Sequence, residues 1–173
     1  MPGARGAVPP SDALVVLGVS GDLAHKMIFP ALYALTKRGA LKVPVIGVAS
    51  SKWNLAQLRG GATDSIRTGG RISDRPALHR LLSRLRYVEG DYNDPNTFKS
   101  LKLALGDAQH PAYYLAIPPA PFATVITGLG DAGLANHGRV IVEKPFGRDL
   151  SSARSLNRVA RSVFPQDSVA GRG

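Results

Sequence analysis

The chain has no cysteine, a single tryptophan, two methionines and only 6% aromatic residues. Without thiols neither a disulfide framework nor a thiolate metal site can form, and no metal is expected; a reducing cytoplasm suits such a chain and is the expected location. No apolar run approaches the roughly 18 residues of a membrane span, so no membrane partner is expected. The first eleven residues are rich in Gly, Pro and Ala and lack the apolar stretch of a secretion signal. They read as a disordered lead-in. Acidic residues are also scarce, 12 against 22 Lys and Arg, which leaves a net charge of +10. Such a balance points to an anionic partner, either nucleic acid or phosphorylated metabolites. The arginines are scattered from Arg59 to Arg161 with no tract, no aromatic-interleaved platform and no zinc or helix-turn-helix pattern. Nucleic acid is therefore not the expected partner.

What is present is one strong organising stretch. Ala13-Leu14-Val15-Val16-Leu17 reads as a buried parallel strand, Gly18-Val19-Ser20-Gly21 as a sharp turn, and Asp22-Leu23-Ala24 as the entry to a helix. Strand, glycine turn and helix in that order open a dinucleotide-binding βαβ unit. A pyrophosphate reaches backbone N–H groups at a helix start only where side chains are absent, and the helix dipole favours the anion there. Gly18 supplies the tight turn, Gly21 the open approach, and Ala24 is small enough for close helix–strand packing. Alone, the G-x-x-G-x-x-A spacing also fits a βα turn that binds nothing.

Further units follow. Pro30 predicts a short turn over 22–29 and a main helix from Pro30 to Gly39. The second strand, 43–49, ends in Ser50-Ser51-Lys52. A site for NAD places a carboxylate at this point to take the ribose 2′-hydroxyl. Hydroxyls and a cation suit a 2′-phosphate instead and favour NADP over NAD, although an ordinary polar strand end reads the same way. Gly60-Gly61 predicts a broken or short helix over 54–67. A helix over 73–85, a strand over 86–90, a helix from Asn93-Asp94-Pro95 to Gly106, a strand over 111–117, a helix over 121–134, a strand over 139–142 and a helix over 149–163 complete the pattern. Strands alternating with helices give an α/β Rossmann-type fold, a doubly wound parallel sheet in a single coenzyme-binding domain over 12–164, with 165–173 as a tail.

Ligands of such a sheet lie beyond the carboxyl ends of its strands. Three unusual loops fall there: Gly18–Gly21, Pro118-Pro119 and Glu143–Gly147. The proline pair forces an extended or cis backbone, though it also reads as a plain strand stop. Lys144 is a strand-end cation suited to a phosphate or hydroxyl, with Glu143 beside it either to orient it or as a surface ion pair.

Together, Gly18-Val-Ser-Gly-Asp-Leu-Ala24, Tyr114-Leu-Ala-Ile-Pro-Pro119 and Glu143-Lys-Pro-Phe-Gly-Arg-Asp-Leu150 resemble glucose-6-phosphate dehydrogenase over its N-terminal coenzyme domain. The resemblance implies hydride transfer from C1 of glucose 6-phosphate to NADP, giving the lactone that opens the oxidative pentose phosphate pathway. By motif position it implies that Gly18, Ser20, Gly21, Asp22 and Leu23 belong to the coenzyme loop. Ala116, Pro118 and Pro119 would lie along the coenzyme, and Lys144 would contact both substrate and coenzyme. The family often has an arginine for the 2′-phosphate where this chain has Ser50, followed by Ser51 and Lys52. It also continues into R-I-D-H-Y-L-G-K-E, whose histidine is the general base; this chain reads Pro165-Gln-Asp-Ser-Val-Ala-Gly-Arg-Gly173 instead.

None of His25, His79, His110 and His137 falls at the fifth strand's carboxyl end, where a base is needed. No catalytic residue is therefore expected in this chain, and little or no turnover by it alone. Glucose 6-phosphate binding is expected to be weak or absent without the family's second domain, through which its members oligomerise. The alternative reading is a non-catalytic NADP-binding module or sensor.

Overall fold

The structure, a computed structural model, describes residues 11–143 and 169–172, with side chains through Val142. Its elements in chain order are β1 (Ala13–Leu17), a five-residue π-helical turn (Ala24–Ile28), α1 (Phe29–Lys37), β2 (Val45–Ala49), α2 (Leu55–Gly69), α3 (Arg75–Arg84), β3 (Leu85–Glu89), α4 (Pro95–Leu105), β4 (Pro111–Leu115), α5 (Phe122–Asp131), β5 (Arg139–Glu143) and β6 (Val169–Arg172). The strands form one parallel sheet in the order β3-β2-β1-β4-β5-β6. The chain winds outward from β1 to β3, then returns to lay β4 on the other side of β1. That reversal is the topological switch point, and the doubly wound Rossmann architecture follows.

Each face of the sheet has its own core. Val15 and Leu17 of β1 point with Ile46, Val48, Tyr113 and Leu115 to Phe98 and Leu101 of α4 and to Val125, Ile126 and Leu129 of α5. Val16, Val45 and Tyr114 point the other way, to Phe29 and Leu32 of α1, Leu58 and Ile66 of α2, and Leu78 and Leu81 of α3. The strand side-chain period of two divides each strand between these layers, which is why the central strands read as unbroken apolar runs.

The starts of α2, α3 and α4 are capped as the residue types require. Asp94 accepts from the Asn96 amide and Pro95 follows it at the head of α4. Asp74 does the same for α3 by accepting from the Ala77 amide. The turn before α1 is widened rather than broken, with the Phe29 amide bonded to the Ala24 carbonyl five residues back. In an unbroken α-helix the Pro30 ring would meet the carbonyl of Lys26, and the wider turn opens that space.

Three expectations are corrected. The helix over 54–67 is neither broken nor short: α2 runs 15 residues straight through Gly60 and Gly61. A reciprocal capping box between Asn54 and Gln57 starts it, and buried Leu58, Ala62, Ser65 and Ile66 anchor one face, which outweighs the glycine penalty of about 1 kcal/mol each. Leu85 belongs to β3 rather than to the preceding helix, its extended backbone ending α3. Within the stretch 165–173 expected to be a tail, Val169–Arg172 forms β6, paired in register with Val140–Glu143. A four-residue strand containing glycine has too little alternation to be read from sequence. The expected helix over 149–163 lies outside the described residues, as does Lys144.

Candidate coenzyme site at the switch point

The β1–α1 turn packs directly on the end of β4. Gly18 has φ +87°, and a Cβ placed on it would stand 2.4 Å from the Ala116 carbonyl oxygen and 2.5 Å from the Ile117 side chain. Only glycine fits there, both for conformation and for space. The Ala116 amide donates to the Leu17 carbonyl at 2.9 Å and the Gly18 amide to the Val48 carbonyl at 2.8 Å, so the turn is anchored to both neighbouring strands. The Gly21 amide closes the turn on the Gly18 carbonyl at 3.0 Å, and the His25 amide begins the helix on the Gly21 carbonyl at 3.1 Å.

The outer side of Gly21 is open: a Cβ there would have only the Gly18 carbonyl oxygen within 4 Å, at 3.3 Å. No side chain caps the start of the helical turn, and Asp22 is exposed. Ala24 is fully buried, so the helix lies close on the sheet. A tight, side-chain-free turn that exposes a helix start is the cradle a pyrophosphate needs, and this turn fits it.

The end of β2 is tied to this turn by side chains. The Ser20 and Ser51 hydroxyls are 2.8 Å apart and hydrogen-bonded. The Ser51 carbonyl accepts from the Trp53 amide at 2.8 Å and from the Tyr87 hydroxyl, which also reaches the Ala49 carbonyl at 3.4 Å. The Tyr92 hydroxyl donates to the Val48 carbonyl at 3.3 Å from beneath Gly18. Burial pushes the Tyr92 pKa up to about 12, and burial followed by the nearby Glu89 charge raises that of Tyr87. A phenol is protonated at neutral pH in any case, and these shifts carry both hydroxyls further from ionisation. Ser50 and Lys52 are exposed.

The structure brings Gly18, Ser20, Gly21, Asp22 and Leu23 together with Ser50, Ser51 and Lys52 on one side of the switch point. Ala116, Pro118 and Pro119 follow β4 on the other. Pro119 supplies the carbonyl that receives the Phe122 amide at 3.0 Å at the head of α5. Lys144 lies outside the described residues, and Glu143 is placed through its backbone at the end of β5. His110 and His137 stack edge to face with ring centroids 5.7 Å apart, just ahead of β4 and β5 and so at the opposite, amino edge. His79 is exposed on α3, and His25 is exposed on the helical turn. Among the described residues no group of three or more His, Cys, Asp or Glu could hold a metal ion.

Several residues of the site were not singled out from sequence. Gly47 sits inside β2 because a Cβ would come within 2.7 Å of the Val19 side chain, so this glycine seats the turn; a lone glycine in an apolar strand is its only signal. Tyr87 and Glu89 arrive from β3, Glu89 in register with Ala49, and Tyr92 from the turn that follows, and no local pattern announces them. A separate cleft of about 450 Å³ opens between α4 and α5, lined by Phe98, Lys99, Thr124 and Asp131 among others, and touches this region through Tyr92.

Residues 15–170 match the family described as "Glucose-6-phosphate dehydrogenase, NAD binding domain". The chain belongs to this family. It is 43% identical over 159 residues to glucose-6-phosphate 1-dehydrogenase 1 of Mycobacterium tuberculosis, covering 92% of this chain and 34% of that protein. It is 35% identical over 171 residues to the chloroplastic glucose-6-phosphate 1-dehydrogenase of Spinacia oleracea, covering 92% of this chain and 30% of that one. The crystal structure of the Mycobacterium avium enzyme superposes with a TM-score of 0.88 at 44% identity, over 94% of this chain and 36% of the other. A glucose-6-phosphate dehydrogenase in complex with its substrate glucose 6-phosphate superposes with a TM-score of 0.82 at 31% identity, again over 94% and 36%. The chain thus spans about a third of the length of these glucose-6-phosphate dehydrogenases and corresponds to their nicotinamide-coenzyme-binding domain.

Proposed function

We propose that this chain binds NADP across the switch point and serves as the coenzyme domain of a glucose-6-phosphate dehydrogenase. The observation that carries the reading is the Gly18–Gly21 turn, closed tightly against Ala116 yet open outside Gly21, with family membership as its context. The amides at the helix start hold the pyrophosphate, and the widened turn behind them keeps that helix pointed at it. Ser50, Ser51 and Lys52 receive the adenosine ribose and its 2′-phosphate; Ala116, Pro118 and Pro119 flank the nicotinamide half. Lys144 holds the sugar phosphate ester or its hydroxyls. When bound, NADP would supply the acceptor for a hydride from C1 of glucose 6-phosphate, and the chain's own residues would orient it. Among the described residues no histidine stands at the carboxyl end of β5 to take the C1 hydroxyl proton.

NADP is favoured because the β2 end presents a cation and hydroxyls. Glu89, in register with Ala49 on the neighbouring strand, places an acid beside that end. Calorimetric titration of the 173-residue chain with NADP and NAD tests the reading. Saturable binding that prefers NADP supports it, and a folded chain that takes up neither coenzyme refutes it. Glu89→Gln is expected to strengthen NADP binding and leave NAD binding unchanged, since only the 2′-phosphate adds charge near that carboxylate.

A further inference from the structure

We propose that Tyr87, on β3, is the positioning residue for coenzyme selection in this chain. The proposal rests on the reading of the Ser50–Lys52 turn as the 2′-phosphate site. Tyr87 touches no coenzyme atom in that reading; it acts through the backbone of the turn. Its hydroxyl reaches the carbonyls of Ala49 and Ser51, the residues on either side of Ser50. The Trp53 amide takes the same Ser51 carbonyl at 2.8 Å, and the Trp53 ring lies 6.3 Å from the Tyr87 ring, tilted by 37°. With its carbonyl held from two sides, Ser51 points its hydroxyl at Ser20, 2.8 Å away on the glycine turn. The pyrophosphate turn and the ribose turn are therefore joined through one serine pair whose geometry Tyr87 maintains.

A turn held this way is preorganised before the ligand arrives, which saves the ordering cost on binding. The benefit is unequal between the two coenzymes. Both use the glycine turn and the Ala116–Pro119 loop, but only NADP uses the phosphate contacts of Ser50–Lys52. Loosening that turn must therefore weaken NADP more than NAD. A residue that merely stabilised the domain would weaken both alike.

Tyr87→Phe is the test, because it keeps the ring against Trp53 and removes only the hydroxyl. The full 173-residue chain and its variant are titrated calorimetrically with NADP and with NAD, and amide exchange at Trp53 is followed without ligand. The expected result is a preference for NADP over NAD reduced about fivefold, the order of one hydrogen bond, with the smaller loss of affinity falling on NAD. The Trp53 amide should exchange faster in the variant. A wild-type chain that discriminates, with an unchanged ratio in Tyr87→Phe or an equal loss for both coenzymes, overturns the proposal alone. A wild-type chain that binds neither coenzyme overturns the functional reading and this proposal with it.

Discussion

Gly18 is where one methyl group should do most damage. At φ +87° with the Ala116 carbonyl 2.4 Å from any Cβ, Gly18→Ala combines backbone strain with a clash against backbone that cannot give way. A loss of about 1–3 kcal/mol in denaturant unfolding is expected, with coenzyme binding abolished in the calorimeter. Asp12 makes a different test. Burial acts to raise its pKa, but the amides of Gln109 and His110, bonded to its oxygens at 2.7 and 2.8 Å, outweigh that and hold the carboxyl below its usual range. A lowered native pKa means stability that is present above the unfolded value of about 4 and lost as pH falls through the native one. Unfolding curves of Asp12→Asn against wild type should differ near neutral pH and converge in acid. Gly18 was legible in the sequence because its role is local; the partners of Asp12 lie almost a hundred positions along the chain, where no periodicity reaches.

At the level of elements, the glycines of α2 and α5 should respond in opposite senses. Gly60 is exposed inside a helix with nothing within 4 Å of an added Cβ. Gly60→Ala should stabilise by about 0.5–1 kcal/mol, read as a raised denaturation midpoint. A Cβ added at Gly128 in α5 would stand 2.3 Å from the Phe98 ring of α4, so Gly128→Ala should overpack that contact and cost about 1–3 kcal/mol in the same experiment. Composition treats the two residues alike. The difference comes from which helix face each occupies and what packs against it. The same reasoning explains why Gly60-Gly61 failed as a helix breaker: tertiary burial of Leu58 and Ile66 overrides local propensity.

At the largest scale, the described residues form a sheet with a separate core on each face and the proposed ligand edge where the winding reverses. The proposed coenzyme cradle lies there, while His110 and His137 stand at the far edge. With NADP and glucose 6-phosphate supplied together, the 173-residue chain by itself is therefore expected to bind coenzyme yet produce no absorbance of reduced nicotinamide. Appearance of that absorbance would show that the chain itself holds a base, with His25 the first residue to substitute.

The sequence by itself determined the strand–turn–helix opening, the alternation of strands and helices, the two turns flanking the switch point and the family. These are properties of short-range pattern: side-chain period, glycine turns, proline stops and helix caps all act within a few residues. Only the tertiary structure decided that α2 is continuous, that Val169–Arg172 closes onto β5, that Gly47 makes room for Val19, and that Tyr87 and Tyr92 brace the end of β2. Each of those depends on residues brought together by parallel pairing of strands far apart in the chain, and such contacts leave no local trace in the order of the amino acids.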